Sequence, residues 1–272
     1  MLNKILTLER PLAVLDFETT GLDAEQDRVV QVCIKMHYPD RDVVEWVTLI
    51  NPEMPIPPFV STKHKIFDDD VKDKAPFKHY AADLAKKLLQ ADIGGYNVSF
   101  DMKFLRAEMK RAGVDFPWDN YILDPITIYK MKKGHTLTNC YLEYGGENGE
   151  PLPADTSVDD AHDAGFDVYM TEVALRGQLL RHDNLPRTVK ELSAFCFPKA
   201  ENAVDSTGKF IWVNDKICVS FGKYKGKTLE EAVTSNRGYF KWFVGADFPE
   251  DAKIIVNGAL DGIFPTKEKE PF

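Results

Sequence analysis

Three runs rich in β-branched, aliphatic and aromatic residues open the chain, at 12–17, 28–38 and 43–50, with turn formers such as Gly21 and Pro39-Asp40 between them. Each predicts a strand. A proline-rich loop covers 51–58. From 76 to 90 the apolar positions Phe77, Tyr80, Ala81, Leu84 and Leu88 recur at helical spacing, which predicts a helix. A short strand at 93–96 leads into a helix over about 99–112, a second strand-to-helix pair spans 121–131, and a long helix runs over about 163–180. Three strands followed by alternating helix and strand predict a mixed α/β sheet covered by helices.

The chain has 272 residues, more than one typical core needs, which implies one large domain and a small one. Charge locates the division. The net charge is -9 overall, and all of it falls in residues 1–181, whereas 182–272 balance to zero. The polar stretch Arg181-His182-Asp183-Asn184-Leu185-Pro186 reads as a connector, so the expected domains are 1–181 and 186–272. A hydrophobic fraction of 44% is enough to fold most of the length. No apolar run approaches the roughly 20 residues of a membrane span, and the N-terminus lacks the pattern of a secretory signal. Cys33, Cys140, Cys196 and Cys218 are widely spaced, which argues against a zinc ribbon or disulfide scaffold and makes a cytoplasmic protein with reduced thiols the expectation. The acidic balance argues against capture of nucleic acid by a broad basic face.

Candidate chemistry lies where carboxylates interrupt apolar pattern. In the first strand, Asp16 and Glu18 are two residues apart and so share a face. Two unpaired carboxylates that close repel, and a shared cation is the economical reason to keep them. Alone, such a pair is more often a solvated strand end. In Asn97-Val98-Ser99-Phe100-Asp101-Met102-Lys103-Phe104-Leu105, Ser99 is a plausible N-cap and Asp101 lies on the stripe of Phe104 and Leu105, so it points inward instead of serving as an ordinary first-turn acid. At the start of the long helix, Asp160-Ala161-His162-Asp163-Ala164-Gly165-Phe166-Asp167 places Asp167 on a face of small residues with Ala164, Thr171 and Ala174, and His162 at the helix mouth. His37, His64, His79, His135 and His182 make no metal-ligand spacing.

Taken in order, D-x-E-T-T-G, N-x-x-F-D and H-x-A-x-x-D resemble the three motifs of the DEDDh (DnaQ-like) 3′→5′ exonuclease superfamily, over about residues 8–181. The resemblance implies an RNase H-like fold, a five-stranded mixed sheet flanked by helices with Asp16 and Glu18 on its central strand. It implies two divalent ions, Mg²⁺ or Mn²⁺, held by Asp16, Glu18, Asp101 and Asp167, with His162 as general base. Hard oxygen donors agree with that choice of ion. Thr19, Thr20, Gly21 and Leu22, with Asn97 and Phe100, are the implied substrate-binding residues. His64-Lys65-Ile66 is similar to the family's H-G-I-T element, with Phe67 in place of its Thr. Tyr96 stands where many members carry a small residue or His.

The second part contains Phe221-Gly222-Lys223-Tyr224-Lys225-Gly226-Lys227-Thr228, which has one residue too few between its glycines for a phosphate loop. With Tyr239-Phe240-Lys241-Trp242-Phe243 and Asp247-Phe248-Pro249, it resembles the C-terminal module of exonuclease X-like proteins, and a small α+β module is expected. Lys223, Lys225 and Lys227 alternate, so on an extended segment they form one basic strip, with Tyr224 available to stack on a base. The alternative is a solvated hairpin edge. Trp242 and Phe243, at helical spacing, are expected in the module's core.

The resulting expectation is a metal-dependent exonuclease that removes 5′-mononucleotides from the 3′ end of DNA, at single-stranded ends. RNA hydrolysis of the ribonuclease T or oligoribonuclease type, and non-catalytic binding of nucleic acid, are the alternatives. Nothing in the sequence points to a membrane, a polymerase or a clamp, and 262–272 carries no clear clamp-binding tail.

Overall fold

The computed structural model describes residues 2–130, 136–145, 152, 157, 161–197, 202–205, 207–246 and 248–264; the side chains of Lys130 and Glu250 are outside that set. Met131, His135, Asp160, Asp247 and residues 265–272 therefore lie outside the described residues. The chain forms two compact units, Met1–Phe197 and Pro198–Phe272.

The first unit is built on strands β1 (Leu12–Thr19), β2 (Val29–His37) and β3 (Val44–Leu49). Helices α1 (Pro58–His64), α2 (Asp68–Val71) and α3 (Lys78–Leu88) follow, then β4 (Asp92–Gly94), α4 (Ser99–Arg111), β5 (Ile122–Leu123) and α5 (Pro125–Lys130). Helices α6 (Leu137–Tyr144), α7 (Ala164–Arg181) and α8 (Val189–Cys196) complete it. The sheet order is β3-β2-β1-β4-β5, with β1 and β3 antiparallel to β2 and with β4 and β5 parallel to β1. This is the expected five-stranded mixed sheet, with β1 at its centre.

Parity along β1 decides the layers. Ala13, Leu15 and Phe17 pack with Leu84 and Leu88 of α3 and Phe104 and Leu105 of α4. Leu12 and Val14 face the other way, against Val168, Leu175 and Leu179 of α7 and Leu192 of α8. Each fully buried Leu or Phe contributes about 1.5–3 kcal/mol. Continued along the strand, the even parity carries Asp16 and Glu18 onto the α7 side.

Two expectations are revised, and two short helices are added to those expected. The stretch at 181–186 does not end the first unit, because Leu185, Val189, Leu192 and Cys196 are buried in its second core; the break falls at Pro198, not at 186. Ser99 is the first residue of α4 and not its cap; the N-cap position is Val98, without a side-chain cap. The loop at 51–58 leads into α1 and α2, two short helices with too few residues to show a period.

In the second unit, β6 (Phe210–Val213) and β7 (Lys216–Val219) form an antiparallel hairpin. Asn214 and Asp215 turn it at φ 48° and 60°, the left-handed pair that a two-residue hairpin needs. Helices α9 (Leu229–Ser235), α10 (Arg237–Gly245) and α11 (Glu250–Leu260) share a core of Phe210, Phe240, Phe243 and Val256. The module is α+β, as expected. Among the described residues no helix is long and apolar enough to cross a membrane.

Candidate active site

The carboxylates meet at the C-terminal end of β1. The β1–β4 ladder ends at Val14–Gly94, which leaves the next stretch of β1 open on that side. Gly95 makes the close approach possible: a Cβ there would lie 2.7 Å from the Leu15 carbonyl oxygen. The chain turns into α4 under the control of Asp124, which accepts hydrogen bonds from the amides of Asn97 at 3.0 Å, Val98 at 3.1 Å and Ile126 at 3.1 Å. Asn97 takes a φ of 57° at this bend. Within the first turn of α4, Asp101 accepts a hydrogen bond from the Phe17 amide at 2.9 Å and is only 3% exposed. Its carboxylate is thereby fixed to the backbone between Asp16 and Glu18.

The third contribution comes from the start of α7. Asp163 caps the helix, accepting from the Phe166 amide at 2.9 Å. Buried Gln31 on β2 donates to Asp163 Oδ2 at 3.0 Å and accepts from the Ala164 amide at 3.0 Å, which ties the helix start to the sheet. Just before the cap, His162 has a φ of 82°, a conformation that a β-carbon disfavours, and its amide reaches both Asp167 oxygens at 3.4 Å. Ligand atoms of Glu18, His162 and Asp167 all lie within 4.8 Å of one another.

Burial dominates the electrostatics. It drives the Asp16 carboxyl well above the usual carboxylate range, with further pushes from Asp101, Asp167 and Glu18. Glu18 is pushed up to about 9 by burial and then by Asp167 and Asp101. Asp167 goes to about 7, again chiefly through burial, against the His162 amide. Asp101 is also raised by burial, although the Phe17 amide opposes it. Among the described residues no lysine or arginine forms an ion pair with any of the four. Four oxygen-donor groups that repel one another without a cation are a donor set suited to a hard divalent ion.

Beside this cluster the segment Thr19–Leu22 is held in shape from within. Buried Thr20 donates to Asp27 Oδ1 at 3.2 Å and accepts from the Arg28 amide at 3.0 Å, while Thr19 donates to the Gly21 carbonyl at 2.6 Å. Leu22 projects outward, 85% exposed. Phe100 is half-buried, its ring 5.0 Å from that of Phe104. A cleft of about 390 Å³ adjoins His162 and Asp163 and is lined by Gln31, Lys63, His64 and Lys65. Lys65, which stands at the glycine position of H-G-I-T, caps α1 in a left-handed conformation with φ 59°. His64 is buried, its Nδ1 accepts from the Ile66 amide at 3.1 Å, and burial lowers its pKa, with His162 acting in the same direction. Tyr96 is a core residue whose hydroxyl donates to the Thr136 carbonyl at 3.1 Å.

The lysine strip of the second unit is arranged differently from expectation. Gly222–Tyr224 is a turn of 3₁₀ helix, and Val219 bonds back to Lys227, so the lysines do not alternate along an extended strand. Tyr224 is buried against Tyr239 and Phe240 and offers no face for stacking. Phe243 is in the core as expected, but Trp242 is 58% exposed.

Asp124, Gln31 and Asp163 position the site without having stood out in the sequence. A polar residue that binds backbone amides of a distant segment has no periodic signature. Only Asp163, three residues before Phe166 at a helix start, carries a readable capping signal.

Residues 13–171 match the exonuclease family of ribonuclease T, and residues 219–247 match the exodeoxyribonuclease X-like C-terminal family. The chain is 26% identical over 182 residues to the 3′-5′ exonuclease DinG of Staphylococcus haemolyticus, across 66% of this chain and 19% of that protein. It is 34% identical over 136 residues to DNA polymerase III subunit epsilon of Treponema pallidum, across 48% of this chain and 63% of that one. The match thus spans about a fifth of the first relative and less than two thirds of the second. A solved structure of exonuclease X in complex with 5′ overhanging duplex DNA shares the fold, with a TM-score of 0.50, 17% identity, and coverage of 68% of this chain and 99% of that one. The family match covers more than half of the chain and takes in Asp16, Glu18, Asp101, His162 and Asp167, so the chain belongs to the exonuclease family.

Proposed function

We propose that the protein is a divalent-metal-dependent 3′→5′ exonuclease that hydrolyses the terminal phosphodiester of DNA, at single-stranded 3′ ends, and releases 5′-mononucleotides. The observation that carries this reading is the gathering of Glu18, His162 and Asp167 within 4.8 Å at the end of the central strand, with Asp16 and Asp101 beside them. The donor set fits two Mg²⁺ or Mn²⁺ ions, which Asp16, Glu18, Asp101 and Asp167 would hold. Such ions supply Lewis acidity toward the phosphoryl oxygens and the attacking water.

The chain's own residues do the rest. Asp101, fixed by the Phe17 amide, and Asp167, aligned by the His162 amide, present carboxylate oxygens in set directions. The exposed His162 ring accepts the proton of the attacking water. Thr19, Thr20, Gly21 and Leu22, together with Asn97 and Phe100, receive the 3′-terminal nucleotide. Lys63 and Lys65, at the rim of the adjoining cleft, suit a strand approaching an otherwise acidic site. DNA is favoured over RNA because the relatives include a subunit of DNA polymerase III, and exonuclease X was solved with duplex DNA.

The test compares 5′-labelled single-stranded DNA, duplex DNA and RNA, with Mg²⁺ and with chelator, for wild type and Asp167→Ala. The expected result is a ladder shortening from the 3′ end on single-stranded DNA, absent with chelator and in the variant. A ladder on RNA alone would move the substrate class, and full activity of Asp167→Ala would sink the site.

A further inference from the structure

The sequence reading makes Tyr224 available to stack on a base and places Trp242 in the core of the second unit, and the structure exchanges them. Trp242 is 58% exposed on α10, whereas Tyr224 is buried. A single exposed aromatic is ordinary on a protein surface. Trp242 is distinguished by its surroundings. The indole is in contact with Tyr239, at 5.4 Å between ring centroids, and with Phe248, edge-on at 6.1 Å. Phe248 in turn stacks at 3.7 Å on fully buried Phe243, so the exposed ring is anchored to the core. Along the helix, Trp242 is flanked by Gly238 four residues before and Gly245 three residues after. A Cβ at Gly245 would meet nothing within 4 Å, and one at Gly238 only Asn236 at 3.5 Å. The helix surface is therefore open one turn to either side of Trp242, and the indole itself is more than half exposed.

Among the described residues, a lysine lies against the ring that supports the indole. The Lys223 ammonium lies 5.4 Å from the Tyr239 ring centroid and 5.0 Å from that of Tyr224, and Lys223, Lys225 and Lys241 are all exposed. Lys227 interacts with Glu231, so it adds less. A second copy of the chain is a poor occupant for this surface, since a two-fold contact centred on Trp242 would set like charges against each other. A phosphodiester chain with unpaired bases matches both components: a flat ring for the base and ammonium groups for the phosphates.

We propose that Trp242, Tyr239 and Lys223 form a binding platform for single-stranded nucleic acid on the second unit, where a base stacks on the indole and Lys223 meets the backbone. The proposal does not rest on hydrolysis at the carboxylate site, and its test is run without it.

The full-length protein is titrated in chelator and low salt with fluorescein-labelled oligothymidylate and oligouridylate of about 20 nucleotides, read by anisotropy and by quenching of tryptophan emission. Trp242→Ala is expected to weaken binding about 10-fold, and Lys223→Gln to weaken it less while lowering the salt slope by about 1. Trp242→Phe should keep most of the affinity and lose the quenching. Gly245→Leu, which places a longer side chain in open space on the helix face of Trp242, should weaken binding without a change in circular dichroism, and it serves if Trp242→Ala folds poorly. Equal effects on both oligonucleotides assign the site to the strand whatever its sugar; an effect on one alone assigns it to DNA or to RNA. Affinity unchanged in both Trp242→Ala and Gly245→Leu overturns the proposal. So does a wild type that self-associates and a Trp242→Ala variant that is monomeric with oligonucleotide binding intact.

Discussion

Asp101 accepts the amide hydrogen of Phe17 at 2.9 Å, so a carboxylate of α4 is bonded to the central strand between the two acids that strand carries. The bond separates two roles of one side chain, its charge and its acceptor. Asp101→Asn keeps an acceptor for Phe17 and removes the charge, whereas Asp101→Ala removes both. Both variants should lose turnover by 100-fold or more, since removal of a positioned charge-stabilising group commonly has that effect. In chelator at neutral pH, Asp101→Asn should melt above wild type, because the amide is buried without the cost of neutralising a carboxylate. Asp101→Ala should melt below Asp101→Asn by the cost of an unsatisfied buried amide, about 1–3 kcal/mol. Melting curves and labelled-DNA turnover on the same preparations check the pair; equal melting of the two variants would remove the bond from the account.

The raised carboxyl pKa values set the direction of the pH dependence. Glu18, pushed up to about 9, and Asp167, at about 7, bind protons more tightly in the fold than in the unfolded chain. Their protonation therefore stabilises the metal-free fold, which should lose stability as pH rises from the ordinary carboxylate range through 7 and on to 9. In chelator the melting temperature of wild type should fall relative to Glu18→Gln over that interval, by roughly 2–4 °C for each kcal/mol lost. Added Mn²⁺ should close the gap by binding only the folded form. Parallel melting curves for wild type and Glu18→Gln across pH would show that the cluster is not strained by its charge.

Gln31 joins β2 to the start of α7 through Asp163 and the Ala164 amide. Gln31→Leu preserves volume and breaks both bonds, leaving His162 and Asp167 on a looser helix start. Turnover should drop about 10–100-fold with a smaller change in KM, because the placement of His162 is disturbed more than the binding of the strand. Stability should fall by about 1–3 kcal/mol. Steady-state kinetics on labelled DNA and a denaturant curve test this; a KM effect without loss of kcat would assign Gln31 to substrate binding.

The strands and long helices were legible because each buries one face, and burial imposes period 2 or 3.6 on the residues. Asp16, Glu18, Asp101 and Asp167 were legible for the converse reason: they interrupt those periods. The positioning residues were not. Asp124 acts on the amides of Asn97, Val98 and Ile126, and no side-chain pattern records where backbone amides converge. The exchange of Tyr224 and Trp242 has a similar origin. In a helix of nine residues both faces carry aromatics, and the face that is covered depends on Phe248 and on the turn at Gly222–Tyr224, neither fixed by the local period.

Gly21 and Asp27 shape the segment proposed to meet the terminal nucleotide. A Cβ on Gly21 would lie 2.3 Å from Asp27 Oδ2 and 2.5 Å from its Cγ, so Gly21→Ala must displace that carboxylate. The same carboxylate accepts from Thr20 at 3.2 Å and from the Asp23 amide at 2.9 Å. Losing these bonds should cost about 1 kcal/mol each and let Thr19–Leu22 move. KM for a DNA end should rise more than kcat falls, since the carboxylates on β1 keep their places. Asp27→Ala should reproduce the effect, and Gly21→Ala with Asp27→Ala should cost less than the sum of the singles, because the second substitution removes the group the first one strikes. Strict additivity in that cycle, read by melting and by KM, would mean that the clash is relieved by another route and that Asp27 does not hold the segment.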